Sequence, residues 1–411
     1  MKKIKLYSVI IAVVLVISSL FVVLAACDNG NNDGIEAIIK EGQGMTTEQL
    51  VQKAKAETGD FVVYGNTSRI TTAMSDFLTK YGTELGLSTS NTAASKQSDT
   101  NIYTLLANEY VAVNNSKAAS MVMIQDGAQL VLYRENAKIL QNYVPSTMKD
   151  KVDENDQLPL VHQYINKLII WNKLGKGADL KVTNVWQLVD PTFMSGRTMM
   201  FKNPNSEQVN ANFLIMLTSD EWSAKLAAAY KALYNKDITL DSDCPNAGYQ
   251  WVKEFLKIAN FDNDGDTDIC NKLNADTNGG NLGLFVLSKL RSLNGAGKTN
   301  NLQVAAWLKE NEEFVAVDPF AGFMYPMYCQ LATNAPRPYT AMLFINFLME
   351  TEGFNAWADW GAYSTNPDVP VQEGDQALSF WRDRLVVEDA TYIMQNKTTV
   401  SDFISKVIAS K

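Results

Sequence analysis

Four consecutive polar residues, Asn66, Thr67, Ser68 and Arg69, offer binding chemistry without a catalytic group. They separate an apolar run at 61–64 from a helical pattern, so their side chains and the free N–H groups of a helix N-terminus would meet an anion together. Arg69 adds a bidentate donor suited to a carboxylate or phosphate. Equally, Asn66, Thr67 or Ser68 can serve as a plain helix cap. The arrangement recurs at Asn205 and Ser206: a short strand at 198–201, a polar loop at 203–207, then a helix through Val209, Phe213 and Met216. Asp126 ends a third unit, after the apolar run 121–124. Ligands of open α/β sheets bind outside the carboxyl ends of strands, although Asp126 also suits a helix cap.

Other chemistry lacks its residues. The chain has one histidine, His162, set among apolar neighbours, and no nucleophile motif surrounds it, so triad and zinc-hydrolase schemes have little to draw on. Cys244, Cys270 and Cys329 are too far apart in sequence for a zinc cluster; one disulfide or buried thiols both fit them. FDNDGDTD at 261–268 fails the EF-hand spacing in each register and reads as an acidic surface turn. Gly-Lys-Thr at 297–299 lacks the earlier glycine of a P-loop. No catalytic residue, resident metal or cofactor is expected. The net charge of −9 argues against a nucleic-acid partner.

These residues need elements to hold them. With 411 residues the chain has length for two or three domains. The consecutive apolar residues Phe61, Val62, Val63 and Tyr64 predict a strand covered on both faces, hence a parallel sheet and an α/β fold. Ile70, Met74, Phe77, Leu78 and Tyr81 predict one face of a helix that Gly82 would terminate. Strand signals recur at 121–124, 168–171, 282–287 and 314–317. A helix signal lies within 35–58, with Thr47 as cap and Leu50, Val51 and Ala54 on one side, and others recur at 102–110, 128–140, 247–258 and 340–357, and around Trp222 and Tyr230. Two amphipathic pieces occupy 379–411.

The N-terminus carries an address. MKKIK, a long apolar run and small residues before Cys27 make a secretory signal, and Leu24-Ala25-Ala26-Cys27 resembles the lipobox of bacterial lipoproteins. Cleavage before Cys27 would remove three lysines and make the chain more acidic. An uncut anchor is the alternative, because the run is long enough to span a bilayer. Residues 28–34 contain no apolar side chain and predict a flexible leash.

Taken in order, VVYGNTSRITTAMSDFLTKYG, ASMVMIQDGAQL, TNVWQLVDPTF, GLFVLSKL, APRPYTAMLFINFLMETEGFNAW and GAYSTNPDVP resemble an extracellular solute-binding protein of an ABC importer. The likeness is to the type II branch that takes iron(III) and phosphorylated sugars. It covers roughly 57–370 and implies two α/β lobes, with mixed sheets flanked by helices and a hinge, closing on one ligand. The implied layout is a signal peptide at 1–26, lipidated Cys27 and tether at 27–45, lobe 1 at 46–171, lobe 2 at 172–315, and the return crossing with C-terminal helices at 316–411. The resemblance implies a monomeric lipoprotein on the outer face of the cytoplasmic membrane, working with a permease and an ATPase. Its ligand is expected to be a small anionic or phosphorylated solute held by Asn66, Thr67, Ser68, Arg69, Asn205 and Ser206. Asp126, Asn172 and Tyr325 would contact hydroxyls or line the cleft, and Ser288, after the strand at 282–287, joins them. An iron(III) carrier using Tyr325, Tyr328 and Asp126 is the first rival, and a surface lipoprotein without a transport role, whether enzyme, adhesin or scaffold, is the other.

Overall fold

A computed structural model describes residues 31–112, 115–291, 293 and 297–411. The leader and Cys27 lie outside them. In chain order these residues form helices α1 (Asn31–Gly42) and α2 (Thr47–Ala54), strand β1 (Phe61–Gly65), helix α3 (Arg69–Phe77), β2 (Thr92–Lys96), α4 (Asp99–Val111) and β3 (Ala119–Ile124). Then come β4 (Leu140–Gln141), β5 (Val161–Asn172), β6 (Met199–Met200), α5 (Gln208–Leu217), α6 (Asp220–Tyr234), α7 (Ala247–Ile258), β7 (Ala259–Asn260), α8 (Asp266–Ala275) and β8 (Leu282–Val286). The remainder comprises β9 (Leu302–Val304), a hairpin of β10 (Lys309–Glu310) and β11 (Glu313–Phe314), β12 (Gly322–Ala332), α9 (Pro338–Met349), β13 (Ala362–Ser364), β14 (Val386–Val387) and α10 (Ala390–Ala409). Short helical turns connect several of them.

Contacts divide the chain into two units: 31–124, 129–160 and 329–348 in the first, and Gln125–Ala128, Val161–Tyr328 and Met349–Lys411 in the second. In the first the strand order is β2-β1-β3-β12, with β1 parallel to both β2 and β3 and β4 antiparallel to the end of β12. The second has the order β12-β5-β8-β6-β7. There β5 is antiparallel to β12 and β8, whereas β6 is parallel to β7 and β8. β5 also pairs with β9 and β13. β5 and the tail therefore group with the second unit, where the sequence reading has them in the first lobe or returning to it.

The first core forms as the apolar runs dictate. Phe61 and Val63 of β1 and all of β3 are buried, as expected of central parallel strands. Ile70, Met74 and Phe77 form the inner face of α3, where the Phe77 ring meets Phe344 at 4.9 Å and Phe347 at 5.7 Å. Gly82 does not end this helix. A π turn at Leu78–Gly82 carries it on through Thr83–Leu85, and Gly86, at φ +61°, supplies the left-handed stop. Gly82 instead allows close approach, since a Cβ there would lie 3.1 Å from the Leu87 carbonyl oxygen.

Three further expectations change. Residues 31–45, read as tether, are helical over α1, with Ile35 and Ile39 buried, because that pair sits four apart on one face. The helix expected at 340–357 stops at Met349, where Glu350 turns extended (ψ 161°), and resumes briefly at Thr351–Phe354. The expected helix at 128–140 is short, giving way to a π turn and β4.

Glu57 holds the start of α9, accepting hydrogen bonds from the Tyr339 and Thr340 N–H groups (2.7 and 2.9 Å) and the Thr340 hydroxyl (2.7 Å). Burial nevertheless pushes its carboxyl above the ordinary value of 4.5. The unfolded chain therefore binds fewer protons between those two values, and Glu57 costs stability as pH rises through that window. Glu57→Gln should flatten the fall in urea midpoint there; a slope equal to wild type would refute the assignment. Phe77→Ala should cost about 3–5 kcal/mol in urea unfolding, and a loss below about 1 kcal/mol would show that the aromatic cluster is not a tight core.

Candidate functional site

In the first unit the Asn66–Arg69 elbow follows the carboxyl end of β1, and the start of α4 follows β2. Asn66 donates from Nδ2 to Asp99 (3.3 Å). A carboxylate only accepts, so this bond fixes the amide's orientation. Its Oδ1 is buried and has no donor among the described residues. The Thr67 hydroxyl accepts the Arg69 N–H at 3.4 Å, and Ser68 occupies the N-cap position without a side-chain cap bond. The elbow therefore sets a fixed acceptor, Asn66 Oδ1, just before the start of α3.

In the second unit, β6, β7 and β8 run parallel and their carboxyl ends open on one edge, followed by Lys202–Glu207, by Asp264–Asp266 and by Ser288. β5 brings Lys167 opposite Val286, at the carboxyl end of β8. The Lys167 ammonium, with its side chain 2% exposed, donates to Asn210 Oδ1 (2.9 Å) and Asp266 Oδ1 (3.3 Å), and Glu207 lies 3.7 Å away. Lys202 approaches Glu207 from another side at 3.5 Å. Asn210 is oriented by donating to the Lys202 carbonyl at 2.8 Å. Asn205 and Ser206 are exposed in a turn built on Asn203, whose side-chain oxygen accepts the Asn205 N–H (2.9 Å) and whose carbonyl accepts the Ser206 hydroxyl (3.0 Å). The Ser405 hydroxyl donates to Asn205 (3.1 Å). Ser288 is partly exposed.

Asn172 does something else. Wholly buried, it donates to the Leu273 and Asp276 carbonyls (2.6 and 2.9 Å) and accepts the Leu174 N–H (2.8 Å). Both amide hydrogens are consumed, so in this structure Asn172 stitches loops together. Tyr325 is buried on β12, stacked on Phe323 at 5.9 Å.

Asp126 pairs with Lys397 of α10 at 3.8 Å. Near it, Tyr328 is fully buried, and burial with the charges of Glu388, Tyr164, Asp389 and Asp126 drives its phenol well above the usual tyrosine range. Gly127 permits this packing, since a Cβ there would come within 2.7 Å of the Tyr328 hydroxyl. Phenolate and carboxylate groups do suit a hard cation. The β12 register against β5 shifts between Met327 and Tyr328, and the two phenols have different neighbours: Tyr325 stacks on Phe323, whereas Tyr328 packs against Gly127. Among the described residues Asp241, Asp243 and Cys244 also cluster, but Lys253 bridges both carboxylates (2.8 and 2.5 Å) and burial pushes the Cys244 thiol up to about 11. Neither that thiol nor that pairing favours an ion there. All three described cysteines are buried and free. His162 is a core residue packed on Phe354 and Trp357.

Sequence reasoning missed Lys167, Lys202, Glu207, Asn210, Asp266 and Asp99. Lys202 and Glu207 flank the 203–206 loop and were available to it; Asp266 was absorbed into the acidic turn. Lys167 gave no signal, because an isolated lysine before an apolar run reads as a strand end.

The fold is the mixed α/β architecture of two-lobe periplasmic binding proteins. Iron-bound HitA of Pseudomonas aeruginosa superimposes with a TM-score of 0.59 at 11% identity, covering 85% of this chain and 99% of that one. A ferric binding protein of Campylobacter jejuni gives the same values. The binding protein AgtB of Agrobacterium tumefaciens, in complex with agropinic acid, gives 0.52 at 14% identity, covering 86% and 99%. No family model and no curated protein matches the sequence.

Asn172→Ala should cost about 1–3 kcal/mol of stability, as expected for stranded buried carbonyls. It should leave the affinity for any solute the chain captures unchanged where the protein remains folded; a selective loss of affinity in calorimetry would return Asn172 to the site.

Proposed function

We propose that the chain is the solute-capturing component of an ABC importer, taking up a small anionic, hydroxyl-bearing solute such as a phosphorylated sugar and delivering it to a permease driven by an ATPase. The carrying observation is that both units place polar donors at the carboxyl ends of parallel strands, the position where open α/β sheets bind ligands. Arg69 and the N–H groups at the start of α3 are the proposed anion contacts of the first unit. Asn205, Ser206 and Ser288 are the proposed solute contacts of the second. Asn66 Oδ1, a buried acceptor with its orientation fixed, calls for a hydroxyl or N–H from the ligand. Asp126 and Tyr325 remain proposed lining residues. No catalytic role is proposed for any of them. Fold likeness to solute-binding proteins supports the reading.

The chain would act outside the cytoplasmic membrane, held there by lipid on Cys27 after removal of 1–26. Among the described residues no helix is long and apolar enough to cross a membrane.

An iron(III) carrier stands second. It is favoured by the carboxylates and phenol around Tyr328 and disfavoured by the burial that keeps that phenol protonated. A visible charge-transfer band on adding ferric citrate would promote it.

Native mass spectrometry of the purified protein should reveal a co-purified anionic small molecule. Arg69→Ala should weaken calorimetric affinity for that molecule at least about tenfold, in line with about 1.5–3 kcal/mol for a charged hydrogen bond. Unchanged affinity would remove Arg69 from the site, and a co-purified cation or apolar molecule would overturn the anion reading.

A further inference from the structure

Glu207 occupies the N-cap position of α5 yet makes no side-chain cap bond. Its carboxylate also accepts no hydrogen bond from either neighbouring ammonium: Lys202 stands at 3.5 Å and Lys167 at 3.7 Å, contacts of charge alone. Lys167 spends two of its three hydrogens on Asn210 and Asp266. Lys202 spends none on the described residues. Spare donors on two ammoniums thus converge on one carboxylate that fits them poorly, and that carboxylate is 29% exposed on its side chain while Lys167 is almost wholly enclosed.

We propose that Glu207 is a displaceable internal counter-ion, filling the place where an oxyanion binds between Lys167 and Lys202 in the second unit. With Glu207 swung into solvent, the cluster holds two ammoniums against the single carboxylate of Asp266. An incoming phosphate or carboxylate would restore the balance with hydrogen bonds of about 2.7–2.9 Å. Glu207 is then a specificity gate: a solute must outcompete a tethered carboxylate, which neutral and weakly acidic molecules do not. This rests on the reading of the chain as an anion-capturing protein and assigns the anion's partners in the second unit.

The test uses inorganic phosphate titrated calorimetrically into the full chain at low salt. Glu207→Gln is nearly isosteric and breaks no side-chain hydrogen bond, so its melting temperature should stay within a few degrees of wild type. It should bind phosphate at least about tenfold more tightly, and phosphate should raise its melting temperature more. Adding Lys202→Met to Glu207→Gln should abolish the gain. Equal affinity of wild type and Glu207→Gln, or a gain that survives Lys202→Met, would overturn the counter-ion while leaving the anion reading intact. Absence of phosphate binding in all three proteins would overturn the counter-ion; a cationic or apolar co-purified solute would overturn the anion reading itself.

Discussion

The second unit is governed by the need to satisfy a polar strand in the middle of its sheet. β5 carries Gln163, Asn166, Lys167 and Asn172 fully out of solvent. A buried amide left unpaired costs about 1–3 kcal/mol, and a buried ammonium whose partner is removed about 3–5 kcal/mol. For Asn172 and Lys167 the neighbours are chosen accordingly, whereas Gln163 Oε1 and Asn166 Oδ1 are buried without a donor among the described residues. Asn172 gathers the Leu273 and Asp276 carbonyls, and Lys167 pins Asn210 of α5 and the first residue of α8 against the strand. The segments that carry Asn203 to Glu207 are thus anchored by a charge beneath them.

The same strand recruits a second network. Asn166 donates to the Tyr363 hydroxyl (2.9 Å), which donates to Asp375 (2.9 Å). Asp375 also accepts the Gly361 and Gln376 N–H groups (2.8 and 2.7 Å) and the Trp381 indole (3.2 Å). Four donors hold a carboxylate whose burial still raises its pKa. Tyr363 is raised further, by burial first and by this carboxylate second. The residues after β13 are thereby tied to the strand by directional bonds in addition to apolar contact.

Much of the scaffold was legible in the sequence because apolar side chains announce themselves by period. The run 61–64, the stripe Ile70, Met74 and Phe77, and the helix at 247–258 all appear where the pattern puts them. β5 was half hidden, since its first six residues are polar or mixed and only the contacts explain why they are extended. Helix limits failed for local reasons: Gly82 and Gly86 are both glycines near the end of a stripe, and only backbone geometry tells a close-packed glycine from a left-handed one. The polar elbows were legible as positions, but the charges flanking the second one were not. Ion pairing between 167, 207 and 266 joins residues far apart in sequence and leaves no periodic trace.

Helix α1 begins at Asn31, and the Tyr339 hydroxyl donates to its Glu41, which also pairs with Lys53 at 2.7 Å. It is therefore fastened to the first unit. With lipid on Cys27 as proposed, three residues separate it from that helix, a span of four peptide steps that cannot exceed about 14 Å. Such a short mooring would let the first unit pivot on the headgroups but not wander from them. Encounter with a transporter then becomes a search in two dimensions.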